Sequence, residues 1–471
     1  MSSVAVIGSG PNGLAAAAVA AREGLEVTVY EANDSIGGAA RTVPLEGSAA
    51  RFDLGSAVHP MALQSQAFKE LGVVDEVDFI VPPMSFAHVI HGGRTVHAWR
   101  DLERTGAELG HEGAAYTRLL GPLAARMDEL ADTLLNPLLK VPAHPKTLAL
   151  FGAATAAGMG LKELASGKCE RAAALYAGCA AHVAGGSRGP ANAGAGLFLA
   201  ASAHAKGWPV PRGGSQAISA ALAGEATSRG GAIRTGIHIE SLDELAEDVV
   251  LLDTSAESAA RIAGRRIPQK LSKALGTVRR SPGSCVVHFV LSEPVPWTDP
   301  ALSQTATVHL GGTAAQVGRV ERQARRTPAG KPFVIVAQPS LFDDSRAPAG
   351  RQVLWAYCHV PLGSGADMQA EISSMIEQAA PGFGDLVLES HVVTAKGLEA
   401  QNAALVGGDI SGGTMDLLGS IRRPVFSSDP WYLQSKGLYL ISSAAPPGPS
   451  VHGMGGWLGA KSMLRREFGI V

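Results

Sequence analysis

The sequence has few cysteines and almost no net charge, and each shortage excludes a class of protein. Its four cysteines, Cys169, Cys179, Cys285 and Cys358, lie far apart and form no C-x-x-C pair. That spacing excludes a redox-active disulfide motif and argues against a structural zinc site, so we expect no bound metal. The 40 basic and 42 acidic residues nearly cancel, which leaves no cationic surplus for binding nucleic acid. Reduced cysteines indicate a cytoplasmic protein.

Long hydrophobic runs are also missing. The longest, residues 147–161, is interrupted by Gly152, Gly158 and Gly160 and predicts a buried helix rather than a membrane span. The first residues lack the basic stretch and cleavage site of a signal peptide, so we expect no export. Peripheral contact with a membrane and the oligomeric state stay open.

Glycine, in contrast, is abundant. It accounts for 57 of the 471 residues, where about 7% is usual. The glycines follow no triplet period and 46% of the chain is hydrophobic, which excludes collagen-like and disordered classes. The surplus is therefore expected where the backbone turns sharply or approaches another group closely.

The first glycines form a nucleotide-binding pattern. Residues 3–7 predict a buried parallel strand, the loop G-S-G-P-N-G follows at 8–13, and residues 14–22 predict an alanine-rich helix. In such a loop the glycines permit a tight turn, the approach of a diphosphate and contact between helix and strand. A second strand at 25–30 ends in Glu31, where an acid can accept hydrogen bonds from a ribose. This order predicts dinucleotide binding.

The next glycines favour FAD over NAD. The pair Gly37-Gly38 follows Glu31, and a D-x-G segment comes at 53–55. Together they resemble the second signature of FAD-dependent oxidoreductases, in which an extended segment lies along the cofactor. The pairs at 407–408 and 412–413 have no preceding strand and no acid at ribose distance, so we expect no second dinucleotide fold.

Beyond this region the patterns alternate between helix and strand. Residues 101–205 read as mostly helical, and Ser215 is a suitable N-cap for a helix over 216–228. Further strands are predicted at 232–235, 249–252, 285–291, 305–310, 333–337, 353–360 and 387–393, with a hairpin over 85–99. The hairpin histidines His88, His91 and His97 would face different sides, so they predict no metal site.

We therefore predict an α/β protein of two interleaved domains. One is a discontinuous, Rossmann-like FAD-binding domain of the glutathione-reductase type, and the other is a substrate domain built from a mixed sheet and helices. The cofactor domain is expected to comprise residues 1–65, 205–265 and 425–471, and the substrate domain residues 66–204 and 266–424.

The C-terminal region predicts a flavin contact. A buried strand at 437–443 leads into a loop rich in proline and glycine, and a last helix is expected from about Trp457 to Phe468. FAD enzymes of this architecture stabilise the flavin N1 and C2 carbonyl region at such a helix N-terminus, where negative charge is favoured.

These motifs resemble the phytoene desaturase-like branch of FAD-dependent oxidoreductases, which includes carotenoid desaturases and retinol saturase. The similarity covers essentially the whole chain. It rests on V-I-G-S-G-P-N-G-L-A-A-A at 6–17, G-S-A-V-H-P at 55–60, P-R-G-G-S at 211–215, and G-L-Y-L-I-S-S-A-A-P-P-G with V-H-G-M between 437 and 454. Two departures concern the substrate side: G-P-S-V at 448–451 replaces a glycine-rich run, and Val286 and His288 stand where relatives carry a lysine and an acid.

The resemblance implies an FAD site and its residues. The ADP half of FAD is expected at Gly8, Gly10, Gly13, Glu31, Gly38 and Thr42, with Pro11, Asn12, Ala32, Gly37 and Arg41 beside them. Ile239 is expected near the adenine. The flavin is expected to meet Gly55, Ser56, Ser443, Val451, His452, Gly453 and Met454.

The reaction expected from this resemblance is hydride transfer between an apolar small-molecule substrate and flavin N5. His59 and His452 are the acid–base candidates because both follow flavin-flanking glycine segments and histidine titrates near neutrality. A structural role for each is the alternative. His182, Tyr357 and His359 are candidates for the substrate pocket. The electron acceptor is undetermined among O2, a quinone and NAD(P).

Other functions remain open from the sequence. A flavin amine oxidase would need an aromatic cage, which Trp431, Tyr432 and Trp457 could supply. A flavin-dependent isomerase and a non-catalytic flavin-binding partner protein are further alternatives.

Overall fold

The computed structural model describes residues 3–44, 47–90, 94–137, 142–164, 170–185, 189–416, 419 and 422–470, without the side chains of 158–164. His91, the predicted turn at Gly92-Gly93 and Cys169 lie outside these residues.

Sixteen strands are described. In chain order the strands are β1 Ser3–Ile7, β2 Glu26–Tyr30, β3 Thr42–Pro44, β4 Arg51–Asp53, β5 Phe79–Ile80, β6 Met84–Val89, β7 Thr95–Trp99, β8 Val210–Pro211, β9 Ala232–Arg234, β10 Val249–Leu252, β11 Gly283–Leu291, β12 Thr307–Leu310, β13 Val334–Ala337, β14 Gln352–Val360, β15 Val387–Val393 and β16 Leu438–Leu440.

The described helices include a central block, between Leu102 and Ala205, and further helices before and after it. In chain order they are α1 Pro11–Arg22, α2 Gln66–Glu70, α3 Val73–Glu76, α4 Leu102–Leu109, α5 Gly113–Ala124, α6 Met127–Leu134, α7 Pro145–Leu164, α8 Glu170–Ala180, α9 Pro190–Ala205, α10 Gln216–Ser228, α11 Ala256–Ala263, α12 Gln269–Leu275, α13 Ala314–Gln323, α14 Gln369–Ala379, α15 Phe383–Leu386, α16 Ala395–Gln401 and α17 Met454–Met463.

A parallel sheet forms around the first strand. Its described strands pair in the order β16, β10, β1, β2, β9, and every pairing is parallel. The central strands β1 and β10 are apolar and almost wholly buried, as expected when helices cover both faces of a parallel sheet. The alanine side chains of α1 are short, so this helix packs closely against α10 and α17. This is the predicted Rossmann-like unit.

A second, mixed sheet forms the floor of the predicted substrate region. Its described strands run in the order β15, β11, β14, β13, β12, β6, β7, with β12 and β6 parallel and the other pairs antiparallel. One face carries apolar side chains such as Val287, Val336 and Ala356, which form a closed core with α14. The alternate residues face the other way, because side chains along a strand alternate between the two faces of a sheet.

Helices α4 to α9 lie between β7 and β8 in the chain, where a mostly helical block was predicted. The apolar run at 147–161 lies within α7. None of the helices in the described ranges combines the length and the hydropathy that a membrane crossing requires.

Two local predictions were wrong. Ser215 precedes α10, but its side chain does not cap the helix; its hydroxyl instead donates to Ser56 O and contacts the His59 ring. The last helix begins at Met454, three residues before the predicted start. Gly455 and Gly456 favoured a loop in the sequence, but both lie in the first turn of the helix. A methyl group on Gly456 would overlap the carbonyl oxygen of Asn12, and one on Gly455 would lie 2.7 Å from the carbonyl oxygen of Ile441.

Candidate functional site

One cavity connects the two sheets. It has a volume of about 430 Å³. It runs from the loop after β1 to the side chains on one face of the mixed sheet. Its lining includes the glycine loop and Glu31, the segment at Gly55 and Ser56, and apolar residues of the mixed sheet such as Ile335 and Trp355. A ligand in this cavity would therefore contact both predicted domains.

The glycine loop is shaped by close backbone contacts. A methyl group on Gly13 would overlap the carbonyl oxygen of Gly8, so the start of α1 can approach β1 only without a side chain there. Pro11 occupies the first position of α1, where its missing N–H leaves no hydrogen bond unmade. The start of α1 therefore lies at the cavity, where the positive end of a helix favours an anionic diphosphate.

Glu31 lies at the end of β2 and is held in place by its neighbours. Its Oε2 accepts from Ser9 N at 3.0 Å and Ser9 Oγ at 2.6 Å, and its Oε1 accepts from Asn33 N at 2.8 Å. Burial acts to raise the pKa of Glu31, but these hydrogen bonds outweigh it and hold the pKa below its usual value. The carboxylate is therefore ionised and fixed at the cavity wall, as an acceptor for ribose hydroxyls requires.

Asp253 is a site residue that the sequence reasoning did not single out. It follows β10, lines the cavity, and its Oδ2 accepts from Gly13 N at 2.8 Å. Burial, with a smaller contribution from the charge of Glu31, raises its pKa to about 7 against the effect of the Gly13 hydrogen bond. The available signal was its position, because residues just past the carboxyl ends of parallel strands line the ligand crevice.

Most of the predicted cofactor residues line the cavity. These are Gly8, Gly10, Pro11, Asn12, Glu31, Ala32, Gly38, Gly55, Ser56, Ile239, Ser443 and Val451. A second group lies behind the wall and does not line it. These are Gly13, Gly37, Arg41, Thr42, His452, Gly453 and Met454.

Arg41 and Thr42 are used within the protein. Arg41 donates from Nε to Gly38 O at 2.9 Å and from Nη2 to Gln401 O at 2.8 Å. Thr42 Oγ1 donates to Asp53 Oδ1 at 2.6 Å. Both side chains are buried, so in this conformation they shape the wall rather than offer groups to a ligand.

Neither acid–base candidate faces the cavity. His59 Nε2 contacts Ser215 Oγ at 2.7 Å, and His452 Nδ1 accepts from Met454 N at 3.1 Å. Burial lowers the pKa of each ring to about 4, so both are neutral near pH 7. Their positions favour the structural alternative, and a catalytic role for either stays a prediction.

The three predicted pocket residues are divided. His182 and Tyr357 line the cavity, whereas His359 lies behind it with Nδ1 2.8 Å from Glu321 Oε2. His182 Nε2 lies 3.1 Å from His309 Nε2. Burial, and then the charge of His359, lowers the pKa of His182 to about 3, so this ring is a neutral hydrogen-bonding group. Among the residues described, no group of three or more metal-binding side chains is placed to hold an ion.

A family model and two curated relatives match parts of the chain. The model for the NAD(P)-binding Rossmann-like domain matches residues 6–71. The NADPH glutamate synthase small chain of Mycobacterium tuberculosis is 38% identical over 134 residues, which are 28% of this chain and 26% of that protein. The pyridine nucleotide-disulfide oxidoreductase domain-containing protein 2 of Rattus norvegicus is 26% identical over 303 residues, 55% of this chain and 51% of that protein. The chain thus spans about half or less of the length of these relatives.

Solved structures match over the full length. An oxidoreductase from Methanosarcina mazei has a TM-score of 0.60 with 14% identity, covering 98% of this chain and 100% of that one. Cyclohexylamine oxidase from Brevibacterium oxydans has a TM-score of 0.59 with 15% identity, covering 98% of each chain. The whole chain therefore shares the mixed α/β fold of these oxidoreductases, with a Rossmann-like dinucleotide-binding domain.

Proposed function

We propose that the protein is an FAD-dependent oxidoreductase that moves a hydride between an apolar small molecule and the flavin. The observation that carries this proposal is one continuous cavity, whose lining includes the glycine loop and Glu31 as well as an apolar chamber floored by the mixed sheet. A dinucleotide bound at the loop would extend along Gly55 and Ser56 toward that chamber. The specific likeness to phytoene desaturase-like enzymes is part of the proposal.

The residues present fit FAD. Two groups expected for its ADP half line the cavity: the N-terminus of α1 at the glycine loop, and the fixed carboxylate of Glu31. When bound, the flavin would supply the hydride-accepting chemistry. The protein would bind the adenine end near Ile239 and keep water from the chamber, whose walls are mainly apolar.

Identification of the bound cofactor tests this proposal first. Purified protein is expected to carry FAD, released by denaturation and identified by mass. Under anaerobic conditions, some hydrophobic metabolites should then bleach the flavin absorbance of the loaded protein. A colourless protein that binds no added FAD would overturn the proposal, and a yellow protein that no substrate or reductant bleaches would point to a non-catalytic flavin-binding role.

Asp253 provides a pH test of cofactor binding. The protonated carboxyl repels an anionic diphosphate less than the carboxylate does, and its pKa of about 7 places the change near neutrality. We therefore expect the FAD affinity of the wild-type apoprotein to fall as the pH rises from 6 to 8. The Asp253→Asn variant should show a flatter profile in the same fluorescence titration. Parallel profiles for the two proteins would show that Asp253 does not titrate in this range.

An amine oxidase is the second candidate. Trp355 and Tyr357 stand side by side at the chamber, with ring centroids 4.9 Å apart, and one fold neighbour is a cyclohexylamine oxidase. The predicted cage of Trp431, Tyr432 and Trp457 does not line the cavity. Release of hydrogen peroxide with amines, but not with olefin precursors, would favour this second candidate.

A further inference from the structure

Three polar atoms on the cavity side of the mixed sheet have no hydrogen-bond partner among the described residues. They are Ser284 Oγ, Thr307 Oγ1 and Trp355 Nε1, and all three residues line the cavity. Their exposed fractions are 1%, 2% and 7%. An unpaired buried polar atom costs free energy, and polar atoms of this kind normally have a partner. A ligand in the chamber is the partner that their position offers.

The strand register places two of these atoms in one row. Thr307 of β12 pairs with Ala337 of β13, and Ala337 pairs with Trp355 of β14. Neighbouring strands are about 4.8 Å apart, so Thr307 and Trp355 stand roughly 10 Å apart across the sheet with only a methyl group between them. The Thr307 hydroxyl and the Trp355 indole N–H therefore lie on either side of Ala337, whose small side chain leaves space above the sheet.

This part of the chamber carries no charge. The charged residues that line the cavity, Glu31, Asp253 and Arg261, all belong to the nucleotide end, and none of the described lining residues between 266 and 424 is charged. His182 is neutral because burial lowers its pKa to about 3. An ionised ligand group would lose its hydration here without a counter-ion, which is strongly unfavourable.

We propose that the chamber selects uncharged, largely apolar molecules that carry an oxygen acceptor such as a carbonyl or an ether, held over Ala337 by Trp355 and Thr307. This inference rests on the proposed function and deepens it. An indole N–H only donates, and a hydroxyl both donates and accepts, so the row favours an acceptor. A bare hydrocarbon would leave both groups unpaired, and an ammonium group would present only donors to the indole.

Matched ligands test this specificity. Three ligands are compared. They are farnesylacetone, the hydrocarbon in which a methylene group replaces its carbonyl, and the amine in which a carbon bearing a protonated amino group replaces that carbonyl. Binding to the FAD-loaded protein is followed by the change in flavin absorbance. We expect the ketone to bind about tenfold more tightly than the hydrocarbon, the ratio that one hydrogen bond supplies.

Two variants locate the effect. In Trp355→Phe and Thr307→Val the ratio of ketone to hydrocarbon affinity should fall to about threefold or less, while the hydrocarbon affinity stays within about twofold of the wild-type value. Trp297→Phe is the matched control. Its indole is buried outside the chamber and donates to Gln338 Oε1 at 3.0 Å, so the ligand ratio should not change.

The stability of the apoprotein gives an independent readout. Trp355→Phe and Thr307→Val should leave the melting temperature unchanged or raised, because each removes an unpaired buried group. Trp297→Phe should lower it, because Gln338 loses a donor. A loss of stability in Trp355→Phe equal to that in Trp297→Phe would show a partner within the fold and would overturn the inference.

The ligand series separates two failures. Equal binding of ketone and hydrocarbon, tightest binding of the amine, or no binding of any of the three to the yellow protein would overturn the inference and leave FAD binding intact. Failure of the wild-type protein to hold FAD would overturn the proposed function itself.

Discussion

Replacing Asp53 with alanine should lower the free energy of unfolding by about 3–5 kcal/mol, because it would leave a guanidinium group buried without its counter-ion. Arg346 Nη2 lies 2.6 Å from Asp53 Oδ2, and both side chains are almost completely inaccessible to solvent. Removal of one member of such a pair is far more costly than the pair is stabilising, since the remaining charge cannot regain its hydration.

The loss should be increased by the other bonds that Asp53 accepts. Its Oδ1 accepts from Thr42 Oγ1 at 2.6 Å and from Ser215 N at 2.8 Å. One carboxylate thus connects the β3–β4 hairpin, the start of α10 and Arg346, which lies between β13 and β14. The substitution therefore loosens the wall of the cavity as well as the pair itself.

Urea unfolding of the wild-type and variant proteins measures this effect. Glu389→Gln is a matched control, because Glu389 pairs with Arg351 at 3.6 Å on the surface, and such pairs contribute about 1 kcal/mol or less. If Asp53→Ala cost no more than Glu389→Gln, the buried pair would not exist in solution.

The same carboxylate makes stability depend on pH. Burial acts to raise the pKa of Asp53, but Arg346, Thr42 and Ser215 outweigh it and hold the pKa below its usual value. The pKa of Asp53 is therefore lower in the folded protein than in the unfolded protein, where it is about 3.9. The carboxylate stabilises the fold fully when the pH is above the unfolded pKa, and this stabilisation is lost as the pH falls through the folded pKa. The difference in stability between wild type and Asp53→Asn should therefore shrink only in strong acid.

The nucleotide-binding unit could be predicted because its signals are local. The strand at 3–7, the loop at 8–13 and the acid at the end of β2 are adjacent in the sequence, and each has a physical role that depends on near neighbours. The strands of the mixed sheet were also predicted within a few residues, because alternating and apolar runs of their length are typical of strands. These features depend on near neighbours in the sequence. The same local reasoning failed for the Ser215 cap and for the start of α17, because both are decided by contacts with distant residues such as Ser56 and Asn12.

What depended on pairing across distant strands could not be predicted. The row formed by Thr307, Ala337 and Trp355 exists only because β12, β13 and β14 adopt one register, and register follows from the packed face rather than from any one strand. Asp53 was interpreted as part of a segment beside the cofactor, but its partner Arg346 is 293 residues away. His59 and His452 were predicted as acid–base residues because they follow glycine segments. Their position in the sequence carries no information on the direction of their rings.

Replacing Gly456 with alanine should destabilise the protein by about 1–3 kcal/mol or more, because the added methyl group would meet backbone rather than a movable side chain. Gly456 lies in the first turn of α17, where helix α17 crosses α1 next to Asn12. Gly456 N also donates to Asn12 Oδ1 at 3.3 Å. The helices can relieve the overlap only by moving apart, and Asn12 lines the cavity, so the variant should bind FAD more weakly as well.

Gly224→Ala is the matched control for this last prediction. Gly224 lies within helix α10, and a methyl group there would approach nothing closer than Glu76 Oε1 at 4.0 Å. An alanine in such a helix position should raise stability by about 0.5–1 kcal/mol, because glycine loses more backbone entropy on folding. Urea unfolding should therefore show lower stability for Gly456→Ala and higher stability for Gly224→Ala. FAD titration should show a loss of affinity only in Gly456→Ala. Equal stability of the two variants would show that α1 and α17 do not touch at Gly456.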